Sequence, residues 1–180
     1  MRKLSLDELN RISVEVFRAA EKLPVCIVLD NIRSLHNVGA VFRTADAFRI
    51  EKLYLTGITG TPPHREIHKT ALGATESVAW QYVEKPEDAV ISLKQAGYTV
   101  VVAEQTDESL ALHAFTPPPN SKIALVFGNE LHGVSDAVIN LADLAVEIPQ
   151  AGTKHSLNVS VCAGIVMWEL VRKLKFASPT

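Results

Sequence analysis

Amide, hydroxyl and guanidinium side chains gather beside glycines at three places in this sequence, each just after an apolar run. The first is DNIRSLHNVGAVFRTAD, residues 30–46, where Asn37, Gly39 and Arg43 fall around a helix start. Asn37 suits two roles there, a helix cap or a hydrogen-bonding group at a ligand, and Gly39 permits close packing. Arg43 sits one and a half turns into the helix among Ala40, Val41, Phe42 and Ala45, a setting in which a guanidinium calls for a carboxylate or phosphate partner. The second is GNELHG, residues 128–133, whose two glycines let the backbone turn tightly and approach a ligand. The third is PQAGTKHSLNVS, residues 149–160, which follows Ile148 and feeds a long helix. Its small polar groups and the unpaired N–H groups of a helix start suit an anionic or carboxylate-bearing ligand, although Ser156 or Asn158 would serve equally as a plain cap.

The elements that must carry these segments follow from periodicity. Ser5 and Glu8 form a capping box ahead of Leu6, Leu9, Ile12, Val16 and Phe17, which predicts a first helix over 5–22. Strands are predicted at Val25–Leu29, Lys52–Leu55, Val78–Tyr82, Thr99–Ala103, Lys122–Phe127 and Leu144–Ile148. Helices are predicted over 37–48, 86–95, 135–141 and 157–175, with Pro86 and Gly97 punctuating the second. Residues 57–65 read as a loop and proline-rich 116–121 as a stiff connector. Continuous runs such as VVVA and IALVF suit strands covered on both faces, so the fold class is α/β, a mainly parallel sheet flanked by helices. All three chemical segments then fall at strand C-terminal ends.

Composition narrows the class. A chain of 180 residues that is 47% hydrophobic and 21% charged can bury one substantial core. Its apolar stretches are all broken before the roughly 18 residues a membrane span needs, and the start MRKLSLDELN has no apolar signal core, so a cytoplasmic protein without membrane contact is expected. Eighteen Lys+Arg against twenty Asp+Glu give a net charge of −2, so any nucleic-acid surface must be local. Cys26 and Cys162 lie in apolar runs and read as buried thiols. The glycine spacing fits neither a Walker A loop, since Gly133 precedes Val134, nor the dinucleotide pattern GxGxxG.

Taken in order and spacing, NVGAVFR at 37–43, GNELHG at 128–133 and SLNVS at 156–160 closely resemble the three signature motifs of the SpoU, or TrmH-like, branch of the SPOUT methyltransferases. The resemblance covers about residues 25–174. It implies a C-terminal trefoil knot, a homodimer, S-adenosylmethionine as cofactor, and methylation of a ribose 2′-hydroxyl in tRNA or rRNA. It further implies a catalytic surface of Asn37, Arg43, Ser156 and Asn158, and a cofactor pocket lined by Gly128, Asn129, Glu130, Ile148 and Leu157, with Thr106 adding a wall. Residues 1–22 would then be a helical extension and 23–180 the catalytic domain. Neutralising any guanidinium near pH 7 costs roughly 7 kcal/mol, so the role expected of Arg43 is to anchor the target phosphate and stabilise the developing alkoxide rather than to act as base.

Beside these motifs, TPPHREIHKTALGATE places His64, Arg65, His68 and Lys69 together, a candidate RNA-contacting surface, and Lys154 and His155 form a second. The i, i+4 spacing of His64 and His68 could hold a metal, but no third ligand accompanies them, so no metal is expected. Two rival readings are a non-catalytic RNA-binding dimer and a base-methylating enzyme of the wider superfamily.

Overall fold

Five apolar runs form the buried strands of one sheet. The computed structural model describes residues 1–5 and 7–176. Its strands are β1 (Leu23–Asp30), β2 (Ile50–Thr56), β3 (Ala79–Val83), β4 (Tyr98–Ala103), β5 (Leu110–Ala111), β6 (Lys122–Phe127) and β7 (Leu144–Glu147). They lie in the order β3-β2-β1-β6-β4-β7-β5, and every pairing is parallel. The sheet is therefore wholly rather than mainly parallel.

Alternation along β1 divides the core. Val25, Ile27 and Leu29 belong to one apolar cluster, with Val38, Val41 and Phe42 of α2 (Leu35–Ala47) and Ala163, Val166 and Met167 of α7 (Val159–Lys175). Cys26 and Val28 belong to the other, with Val90 and Leu93 of α5 (Pro86–Gln95) and Val138 of α6 (Asp136–Ile139). Two helical layers thus cover both faces, which is why these strands read as continuous apolar runs. Helices α3 (Arg65–Ala71) and α4 (Ala74–Ser77) pack beside α2, α1 (Val14–Ala19) packs against α4, and none of the described helices is long and apolar enough to cross a membrane.

Local chemistry corrects several expectations. The cap of α2 is Ser34, whose Oγ accepts the Asn37 N–H at 3.3 Å, which frees the Asn37 side chain. The expected single helix over 5–22 is a 3-10 turn at Asp7–Leu9 and then α1, capped by Ser13; Leu6 lies outside the described residues. Half of the expected capping box forms, the Ser5 N–H donating to Glu8 at 2.8 Å, but Arg2 also takes that carboxylate and Asn10 adopts a positive φ of 47°. Leu9, Ile12 and Val16 are exposed, so no packed face supports a continuous helix. Of the two cysteines, Cys26 is buried while Cys162 is only half-buried, and burial raises both thiols to about 11.

Candidate functional site

All parallel strands end on one side, and there the connections after β4, β6 and β7 enclose a cleft of about 560 Å3. Phe127, Val146, Ile148, Leu157 and Val166 supply apolar lining, while Glu104, Glu130 and Glu147 place acids on its walls. That volume and mixture suit a small organic ligand carrying positive charge.

The loop after β6 is shaped by its glycines. A Cβ on Gly128 would overlap the backbone of Gly133 and Val134, and Gly133 itself has φ +70°. Between them Asn129 and Gly133 exchange two N–H···O=C bonds of 2.9 Å, and the Asn129 side chain accepts the Leu131 N–H at 2.9 Å while donating to the Asn31 carbonyl at 2.6 Å. Buried Asp30 accepts the Ser135 N–H at 2.8 Å, so the ends of β1 and β6 are bound together at two points.

Glu130 joins this loop to α2. One oxygen accepts the Arg33 N–H at 2.9 Å, and the other accepts the Ser34 N–H at 3.0 Å and the Asn37 amide at 2.9 Å. Burial alone would raise this carboxyl, but the donations from Arg33, Asn37 and Ser34 outweigh it and hold it below the ordinary carboxylate range. Asn37, 9% exposed, has its NH2 committed to Glu130, so its oxygen faces Asn158, whose amide donates to it at 3.2 Å. Asn158 is at the same time the cap of α7, its oxygen accepting the Ser160 N–H at 2.9 Å. The cap and the ligand-facing role are thus one geometry, with oxygen inward to the helix and nitrogen outward.

Of the ten residues expected at a site, Gly128, Asn129, Glu130, Ile148, Ser156, Leu157 and Asn158 line the cleft, and Asn37 adjoins it through Glu130 and Asn158. Thr106 does not line it; its N–H and carbonyl turn back to Ser109. Arg43 also lies off the cleft, exposed on α2 and without an ion pair among the described residues. Sequence reasoning missed Glu104 and Gln105, which form the wall in place of Thr106. Glu104 accepts the Val134 N–H at 3.0 Å, and Gln105 donates to the His155 carbonyl at 2.8 Å, tying the loop before α7 across the cleft. Their only signal was a position directly after β4.

A wholly parallel sheet with a mixed apolar and acidic cleft at its strand ends, closed by amide-bearing loops, defines an open α/β ligand-binding domain. Residues 24–168 match the SpoU rRNA Methylase family. The chain is 33% identical to a tRNA (guanosine(18)-2′-O)-methyltransferase of Aquifex aeolicus over 88% of its own length and 74% of that protein's. Its fold matches the crystal structure of the A. aeolicus TrmH/SpoU tRNA modifying enzyme with a TM-score of 0.77 at 30% identity, covering 89% of this chain and 79% of that one. It also matches an AdoMet-bound rRNA methyltransferase from Sinorhizobium meliloti with a TM-score of 0.77 at 26% identity, covering 87% and 59%. The chain therefore belongs to the SpoU family of RNA methyltransferases. It spans between 43% and 74% of the length of eight curated relatives it matches.

Proposed function

We propose that this protein transfers a methyl group from S-adenosylmethionine to the ribose 2′-hydroxyl of a nucleotide in tRNA or rRNA, residues 23–180 being the catalytic domain. The observation that carries the reading is the hydrogen-bonded series Glu130–Asn37–Asn158, which joins all three motif segments at the edge of the cleft. The residues present fit the cofactor: the apolar lining suits its adenine ring, and the acids Glu104, Glu130 and Glu147 suit its sulfonium and amino charges. When bound, S-adenosylmethionine supplies an already activated methyl group, so the protein's task is alignment of the ribose oxygen and removal of its proton.

Glu130 is a poor acceptor for that proton, because three donors stabilise its ionised form and hold its pKa down. Its part is to fix Asn37. Asn37 in turn orients the amide of Asn158, which lines the cleft where the ribose would enter, and Ser156 adds an exposed hydroxyl to the same lining. Arg43 reaches such a site by dimerisation. Val161, Ile165 and Trp168 are exposed at i, i+4 and i+7 on α7, which packs against the helix carrying Arg43, and this stripe is the surface proposed to meet a second copy. Trp168→Glu should convert a sedimenting dimer to monomer; an unchanged sedimentation coefficient would refute the surface. The proposed trefoil crossing is supported by the return of the chain from β7, beyond β4, to pack α7 on α2, and by Lys173 of α7, which donates to the carbonyls of Leu112 and His113 just after β5.

The function is tested by incubating the protein with methyl-labelled cofactor and total RNA from a strain lacking it. Label resistant to alkaline cleavage at one phosphodiester is the expected result, since only a 2′-O-methyl blocks that cleavage. Label confined to a base, or none at all, overturns it.

A further inference from the structure

The chain is acidic overall, with 18 Lys+Arg against 20 Asp+Glu, yet its charges are segregated. Residues 31–43 and 57–73 contain Arg33, Arg43, Arg65 and Lys69 against one acid, Glu66. The fold brings most of these cations to one ledge. Gly39 allows α3 to lie directly on α2, because a Cβ there would overlap the Ile67 carbonyl, and Thr70 Oγ1 donates to the His36 carbonyl at 3.0 Å. His36 and Lys69 both bind Glu66, at 2.7 and 2.8 Å, so the single acid is already neutralised. Arg33 and Arg65 are exposed, and among the described residues neither guanidinium has a hydrogen bond or ion pair. The ledge begins at the cleft itself, since the N–H of Arg33 donates to Glu130.

We propose that this α2–α3 ledge is a binding site for the phosphodiester backbone of the RNA whose target ribose enters the cleft, gripping it without regard to base sequence. The inference rests on the methyltransferase reading above. Unpaired guanidiniums beside the cleft of an otherwise acidic protein recruit a polyanion along this approach, so the strand runs from the cleft over Arg33 toward Arg65. Base selection is then left to other parts of the molecule.

Charge reversal separates a local grip from bulk electrostatics. Arg33→Glu and Arg65→Glu change the net charge by the same amount as Lys122→Glu, which lies at the opposite end of the sheet at the start of β6. All three side chains are exposed, and a thermal scan of each variant checks that folding is intact. Retention of labelled total cellular RNA on filters is measured from about 50 to about 200 mM salt, beside methyl transfer to the same RNA. Each ledge reversal is expected to weaken retention roughly tenfold and flatten the log–log salt slope by about 0.7–0.9, one phosphate's worth, while Lys122→Glu stays within about twofold with its slope unchanged. Equal losses for all three variants, or an unaltered slope in the ledge variants, would overturn the ledge while wild-type methylation stands. Ledge-dependent retention by a wild-type protein that transfers no methyl group would support the ledge and remove the activity instead.

Discussion

Replacing Glu130 by Gln isolates what its charge contributes. The carboxylate accepts from the Arg33 N–H, the Ser34 N–H and the Asn37 amide at 2.9, 3.0 and 2.9 Å. A glutamine oxygen can keep the two bonds made by the shared oxygen, but its NH2 then faces the Arg33 N–H, donor against donor. Losing one charge-assisted bond and weakening two others forfeits about 4 kcal/mol gross. Arg33 is exposed and water can replace part of the loss, so a net destabilisation of about 1–2 kcal/mol is expected at pH 7, or roughly 2–8 °C in Tm for a domain of this size. Acid separates the charge from the shape of the side chain. The folded carboxyl is held below its unfolded value near 4.5, so its stabilisation is fully present above that pH and is lost as pH falls through the folded value. Wild type and Glu130→Gln should therefore differ at neutral pH and converge in acid, measured by urea unfolding at several pH values. A gap that stays constant down to about pH 3.5, or is absent at pH 7, would contradict a stabilising role for the charge.

Asn158→Ala removes a helix cap and the amide facing Asn37, and should cost about 1 kcal/mol of stability as well as nearly all methyl transfer, with cofactor affinity by calorimetry within a few-fold of wild type. Asn158→Asp keeps the cap but turns an acceptor toward the Asn37 oxygen, so single-turnover methylation should collapse, with a loss of about 1 kcal/mol in stability from the opposed acceptors. Arg43→Lys keeps the charge and loses the planar fork, and should lose most turnover with folding unchanged; near-normal rates would remove Arg43 from the catalytic surface. Gly39→Ala gains helix propensity of about 1 kcal/mol but drives a methyl into the Ile67 carbonyl and Thr70 hydroxyl, so a net loss of about 1–2 kcal/mol in urea unfolding is expected.

How much was legible varies with the range of the interaction that decides each element. Helix α5 was expected over 86–95 and is found at Pro86–Gln95, because Pro86 and Gly97 mark its ends locally. The buried strands were visible because both faces of the sheet are covered, whereas two-residue β5 has no pattern of its own. The failure over 5–22 shows the opposite case, a helical pattern of which Phe17 packs on the core while Leu9, Ile12 and Val16 find nothing beneath them. At the site, the glycines and amides of the second and third segments marked the cleft and the first supplied the adjoining Asn37, because each segment directly follows an apolar run that becomes a strand. Glu104 and Gln105 carried no such mark, since their roles depend on Val134 and His155, 30 and 50 residues away. Arg43 was singled out by its apolar neighbours, yet a helix can point one charged residue to solvent while those neighbours face the core.

The strand order also governs how the chain can be made. The middle of the sheet is β6, and it alone joins β1 to β4, so until residue 127 has left the ribosome β4 has no partner beside the partial sheet β3-β2-β1. Until then β1 and β4 each offer an unpaired edge of apolar strand, the kind of surface that recruits other nascent chains. Synthesis at about 5–20 residues per second holds that vulnerable state for seconds, so demand for a chaperone should peak late in translation and fall once Phe127 pairs with Leu29 and Ala103.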